Sequence, residues 1–144
     1  METPDAPLDT DALRARLQAE FPQSFAGEGA FEVEGAAPMR AQVRLPFHPR
    51  HMRPGGTVSG PAMFGLADCA LYVAVLATVG WKPLAATANI SLNFLLRPAP
   101  VDLVAEARLL RVGRRLAVGE VHLRSVGRDD VVAHASGAYV IPSR

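Results

Sequence analysis

Hydrophobic and polar positions follow two rhythms along this chain. Between Pro61 and Val79 every residue is apolar, small or weakly polar except Asp68, so a helix there is hydrophobic on all sides and has to be enclosed. Ser59 is placed to cap its free amides, Pro61 is tolerated in the first turn, and Gly80 ends it. The second rhythm is alternation with period two, the mark of a strand with one buried face. Met39, Ala41, Val43 and Leu45 alternate with Arg40, Gln42 and Arg44, and Phe31 to Gly35 supplies a shorter strand before them. After the helix, Ala88, Ile90, Leu92 and Phe94 alternate with Thr87, Asn89, Ser91 and Asn93. Three longer strands follow, Val101 to Val112, Arg115 to Val126 and Val131 to Ile141, joined by turns at Gly113–Arg114 and Gly127–Asp130. Leu103, Ala105, Ala107 and Leu109, with Ala117, Gly119, Val121 and Leu123, form packing faces. Their many small residues leave room for a thick object such as the apolar helix.

The remaining segments frame this core. Residues 10–20 carry Leu13 and Leu17 four apart and predict a short amphipathic helix. Pro22 to Gly29 reads as a loop, and Met1 to Asp9 as a frayed polar start. Pro46 to Val58, with three prolines and two glycines, reads as an irregular loop delivering the chain to the central helix. The pattern therefore predicts an α+β fold: an antiparallel sheet of five or six strands curled around one long buried helix, with residues 1–30 as tail and short helix and 31–144 as a single domain. Such a sheet leaves edge strands open, and pairing with a second copy is the expected remedy.

Composition changes this picture little. The 144 residues, 49% of them hydrophobic, suffice for one domain with a real core. Net charge is only +1, but residues 1–34 hold eight acids against Arg14 and Arg16, while residues 35–144 hold thirteen Lys and Arg against six acids. A modestly basic body with scattered arginines and no interleaved aromatics suits a small anionic ligand and argues against a nucleic-acid partner. The apolar run is long enough to be read as a short membrane span, yet Asp68 near its middle costs about 2.5–3.5 kcal/mol in that setting and no cationic cluster flanks it. No membrane partner is expected. The lone Cys69 rules out an internal disulfide, and with no basic-then-apolar leader a cytoplasmic location is expected.

Candidate chemistry gathers around Asp68. No Lys, Arg or His lies within one helical turn of it, and an ionised carboxylate in apolar surroundings is costly unless paired, hydrogen-bonded or protonated. Enclosure makes such a group a better base near neutrality. The Gly60 amide, at the positive end of the helix, is suited to an oxygen that gains charge in a transition state. His48, Arg50, His51 and Arg53 crowd the loop leading into the helix, and the uncharged face Thr87, Asn89, Ser91 and Asn93 is unusual for a solvated strand. Cys69 points about 100° away from Asp68 around a helix and has no nearby histidine, so it reads as a packing residue. His48, His51, His122 and His134 lack the close spacing of a metal site, no metal is expected, and no phosphate-cradling G-x-x-x-x-G-K motif occurs.

Three runs carry a resemblance: G-T-V-S-G-P-A-M-F-G-L-A-D-C-A from Gly56 to Ala70, T-A-N-I-S-L-N-F-L-L-R-P-A from Thr87 to Ala99, and V-G-R-R-L-A-V from Val112 to Val118. Over residues 38–141 the chain resembles the hotdog-fold acyl-CoA thioesterases of the phenylacetate-degradation type, within the 4-hydroxybenzoyl-CoA thioesterase superfamily. The most specific part is a helix-start glycine with an acid eight residues on. The resemblance implies that Asp68 works on the thioester and that the Gly60 amide polarises its carbonyl; Arg53, Ser59, Thr87, Asn89 and Ser91 are the candidate substrate contacts. It implies an acyl-CoA substrate, with coenzyme A entering as part of it and no separate cofactor. Sites shared across a homodimer, and frequently a tetramer, are also implied. Arg97, Arg111, Arg114 and Arg115 are candidates for the coenzyme phosphates. Two departures stand out: Ser59-Gly60-Pro61 replaces the usual H-G-G, and Arg53 stands where an Asn is common. Asp68 as general base and Asp68 as nucleophile are equally consistent with the sequence. Alternative readings are a non-catalytic acyl-CoA-binding module and a hotdog dehydratase, which needs a histidine facing the acid that only His48 or His51 can supply.

Overall fold

The computed structural model describes residues 8–143; apart from Leu8 and Asp9, the expected frayed start lies outside the described residues. Six strands form one antiparallel sheet: β1 (Glu32–Ala37), β2 (Arg40–Leu45), β5 (Ala86–Phe94), β6 (Leu103–Val112), β7 (Leu116–Ser125) and β8 (Val131–Val140), in the order β1-β2-β6-β7-β8-β5. A long helix, α3 (Gly60–Val79), packs across one face of it. Ser59 Oγ caps the helix by accepting the Ala62 amide at 3.2 Å, and Gly80 ends it at a positive φ of 92°. The inward residues of β6 and β7 are almost wholly buried, from Leu103, Ala105, Ala107 and Leu109 to Ala117, Val121 and Leu123. At Gly119 a Cβ would stand 2.8 Å from the Arg108 carbonyl oxygen and 3.0 Å from Leu71, so the helix approaches the sheet as closely as a bare backbone permits. By length and hydropathy α3 could cross a membrane, but 67% of its apolar window is buried inside this chain.

The sequence expectations need several corrections. Pro22 to Gly29 is not wholly loop, because Pro22–Phe25 forms a short helix, α2, that sinks Phe25 into the core. Pro46 to Val58 contains a 3-10 turn at Pro49–His51 and a small ribbon of β3 (Met52–Arg53) with β4 (Thr57–Val58), which turns at Pro54-Gly55-Gly56. The central helix is not enclosed on all sides: Phe64 is exposed, and Asp68 is half-buried. The first helix, α1 (Thr10–Glu20), forms as expected and buries Leu13 and Leu17 in the same core as the sheet.

That helix also closes one sheet edge. Thr10 Oγ1 accepts the Ala36 amide at 2.9 Å, and the Arg14 guanidinium donates twice to the Val33 carbonyl at 2.6 and 3.1 Å. The opposite edge, β5, has no covering element among the described residues and is exposed along most of its length.

Candidate active site

Asp68 sits two turns into α3, where the sheet leaves the helix partly uncovered. Its Oδ1 accepts a hydrogen bond from Thr87 Oγ1 at 2.7 Å and another from the Tyr139 hydroxyl. The same hydroxyl lies 3.0 Å from the Asp68 carbonyl oxygen. Among the described residues no partner is recorded for the second carboxylate oxygen, Oδ2. Asp68 is therefore held by two side-chain hydroxyls on one oxygen, with the other turned to a partly open surface. The full enclosure in apolar walls predicted from the sequence is not met within one chain, where Asp68 is half-buried.

Thr87 reaches Asp68 because of a β-bulge. Thr87 lies opposite Tyr139 and Asn89 opposite Ala138, so Ala88 is the extra residue. A bulge flips the side-chain alternation. Ile90, Leu92 and Phe94, opposite Gly137, Ala135 and Ala133, face the helix, and Thr87 joins them on that face. Asn89, Ser91 and Asn93 stay on the outer face with His134 and Ser136. The uncharged face expected from strict alternation is thus split, and of its members Thr87 alone touches Asp68. Local sequence pattern does not single out Tyr139. The available signal was a tyrosine on the inward face of a strand otherwise lined by Ala133, Ala135 and Gly137, since a buried phenol requires a polar partner. Burial, reinforced by the bond to Asp68, pushes the Tyr139 phenol far up, so it remains a donor across the accessible pH range.

At the helix start, Pro61 has no N–H, the Ala62 amide is taken by Ser59 Oγ and the Met63 amide by the Ser59 carbonyl at 3.1 Å. The first turn thus leaves the Gly60 amide without an acceptor among the described residues, at the positive end of the helix. Ser59 itself is spent on capping. A Cβ at Gly60 would meet Phe94 at 3.3 Å. Gly60, Arg53, Phe94 and Arg97 line a cleft of about 770 Å³, the space beside the free amide. The four arginines expected near phosphates do not cluster. Arg97 belongs to this cleft, while Arg111, Arg114 and Arg115 lie at or beside the β6–β7 hairpin, whose Leu116 pairs with Val140 next to Tyr139. That hairpin is at the Asp68 end of the molecule.

The loop histidines are engaged elsewhere. His51 Nε2 bonds the Gly29 carbonyl oxygen at 2.7 Å, His48 Nδ1 accepts the Arg50 amide at 3.1 Å, and Arg50 donates to the Glu28 carbonyl oxygen at 2.7 Å. Neither imidazole is bonded to Asp68. Cys69 is buried, and burial raises its thiol well above the ordinary value, which fits packing. His122 and His134, far apart in sequence, stand side by side across β7 and β8 with Glu120.

An antiparallel sheet of six strands packed on a single long apolar helix is the architecture of the hotdog fold. Residues 55–132 match the family model described as Thioesterase superfamily, and the chain belongs to that family. It is 38% identical over 123 residues to a candidate esterase of Halobacterium salinarum, covering 79% of each chain. It is 45% identical to a crystal structure of a candidate thioesterase from Silicibacter sp. TM1040, with a TM-score of 0.84 over 96% of this chain and 94% of that one. A more distant structure, a mutant form of the phenylacetic acid degradation protein PaaI from Thermus thermophilus, shares the fold at 23% identity, with a TM-score of 0.67 over 78% of this chain and 93% of that one.

Proposed function

We propose that this thioester hydrolase acts on acyl-coenzyme A, aryl or fatty, with Asp68 as general base or nucleophile and the Gly60 amide polarising the thioester carbonyl. The observation that carries the reading is the state of Asp68. Two hydroxyls fix one carboxylate oxygen and leave the other free at an opening, the arrangement a base or nucleophile needs and a structural aspartate tied to main chain lacks.

Within one chain the two groups do not share a substrate. Eight helical residues put Gly60 and Asp68 about 12 Å apart along the axis, whereas a carbonyl held by the amide has its carbon within about 4 Å of it. A second copy resolves the distance. Antiparallel pairing of two open β5 edges about a two-fold axis sets the Phe94 end of one strand, with Gly60, Arg53 and Arg97, against the Thr87 end of the other, with Asp68 and Tyr139. The same pairing carries the partner's Arg111, Arg114 and Arg115 toward the cleft, where a guanidinium is suited to coenzyme phosphates. The homodimer is thus the smallest active unit in this proposal, and a tetramer adds no required group.

The test is a thiol-release assay over a panel of acyl-CoAs, with Asp68→Asn beside the native chain. Native release with a loss of at least about 10²-fold in kcat for the variant supports the reading. No native release, or equal release by both, overturns it. Retained acyl-CoA binding without release indicates instead a sensing or sequestering module.

A further inference from the structure

The outer face of the sheet, opposite α3, carries a row of side chains set directly across four strands: Glu106 on β6, His122 on β7, His134 on β8 and Asn93 on β5. Next to it Glu120 lies on the same face, two residues before His122. The His122 and His134 rings are 4.8 Å apart between centroids, at 65°. His134 Nε2 is 3.2 Å from a Glu120 carboxylate oxygen. One ligand atom from each of Glu120, His122 and His134 falls within 4.8 Å of the others, and all three residues are half-buried. Glu120 and His122 also line a broad concavity of about 1270 Å³ that runs over β2, β6 and β7.

The geometry points to a divalent transition-metal site here, of the zinc class, with Glu120, His122 and His134 as its three protein ligands and an open position toward the concavity. Two imidazoles and one carboxylate form a donor set suited to zinc and its neighbours rather than to calcium or magnesium, which take oxygen ligands. Around a tetrahedral ion with bonds near 2.0–2.1 Å the ligand atoms stand about 3.3 Å apart. The Glu120–His134 pair already meets that spacing. Rotation of the His122 side chain, on a surface with free volume before it, closes the remainder.

Both carboxylates and guanidiniums border the site. Glu106 stands directly across from His122, a position from which a carboxylate can serve the distal imidazole nitrogen as the outer partner that ligating histidines commonly use. Arg124 on the same face is held beside Glu106, donating to it at 3.5 Å and to the Asp129 carbonyl at 3.1 Å, so its guanidinium is already paired with a carboxylate. Arg108, the cation opposite Glu120, is exposed and free to swing into solvent. The ion would sit on the far side of the sheet from Asp68, so the site is separate from thioester chemistry.

The full-length chain, stripped with chelator, is titrated with zinc by calorimetry and with cobalt by visible absorption. Expected are about one ion per chain, saturation at micromolar zinc, and a cobalt spectrum of four- or five-coordinate nitrogen and oxygen ligation. His122→Ala, His134→Ala and Glu120→Gln each weaken binding at least about tenfold. His48→Ala with His51→Ala leaves it unchanged. Circular dichroism without metal checks that each variant is folded, and a variant that fails it is replaced by His134→Gln or His122→Gln. Saturation only at millimolar metal, or affinity undisturbed in a folded His122/His134 double variant, overturns the site.

Discussion

Asp68 shows how a lone carboxyl group is accommodated in an otherwise apolar helix. No cation among the described residues pairs with it. Instead Thr87 and Tyr139, from two paired strands, donate to one of its oxygens, and hydrogen bonds to a charged group are typically worth about 1.5–3 kcal/mol each. Tyr139→Phe keeps the ring packing and removes one donor. It is expected to lower kcat about 10–100-fold with little change in KM. Thr87→Val acts likewise, and the double variant costs less than the sum because both hydroxyls serve one atom. Steady-state kinetics on variants whose thermal midpoints stay near the native value check this; an unaltered kcat in Tyr139→Phe removes the positioning role. The acid itself was legible in sequence because it is the one charge in an apolar run. Its partners were not: Tyr139 lies seventy-one positions away, and the contact depends on strand pairing that no local pattern encodes.

At the scale of elements, period-two alternation and the apolar run predict α3 and the β6–β7–β8 meander to within a few residues. They work because each strand buries one face and the helix buries most of its surface. They fail where the chain departs from ideal geometry. The bulge at Ala88 is such a place: Asn89 and Ser91, grouped with Thr87 by alternation, turn to the opposite side of the sheet. Prolines and glycines between Pro46 and Val58 predict irregularity, but the turn they impose is what lets β3 and β4 pair. The β5–β8 contact that positions Thr87 depends on Gly137, where a Cβ would stand 2.7 Å from the Asn89 carbonyl oxygen and 2.8 Å from Ile90 Cγ1. Gly137→Ala therefore has to push β5 off the sheet. It is expected to cost about 1–3 kcal/mol of stability and to reduce hydrolysis along with it. Gly35→Ala is the control, since a Cβ there meets nothing within 4 Å and should change stability by no more than about 0.5 kcal/mol. Calorimetric melting distinguishes the two.

For the whole molecule, three buried acids bear on stability against pH. Burial raises Cys69, Tyr72 and Tyr139 above their ordinary values. A group that holds its proton more tightly when folded contributes stability below its unfolded pKa and loses it as pH rises past that value. With unfolded values near 8.5 for cysteine and 10 for tyrosine, the melting midpoint should fall from about pH 9 to 11, less steeply in Tyr139→Phe. Association is the larger question at this scale. The α1 side of the sheet is sealed by Thr10 and Arg14, while β5 is bare and is bordered by exposed Phe64, Phe94, Leu95 and Leu96. An open, uncharged edge beside apolar side chains is what a soluble chain protects when nothing pairs with it. Ser91 lies near the middle of β5, so in a two-fold pairing of β5 edges it comes close to its own copy. Ser91→Lys then sets two like charges near the axis, yet in an isolated chain it only decorates the exposed outer face. Light scattering should give about twice the 15.3 kDa chain mass for the native protein and a shift toward single mass for the variant. Because the Asp68 of one copy has to meet the Gly60 of the other, thiol release should fall in step with the dimer fraction and recover as protein concentration restores it. A variant that dissociates and keeps full turnover per chain shows instead that one chain suffices, and returns the distance between Gly60 and Asp68 as the fact to be explained.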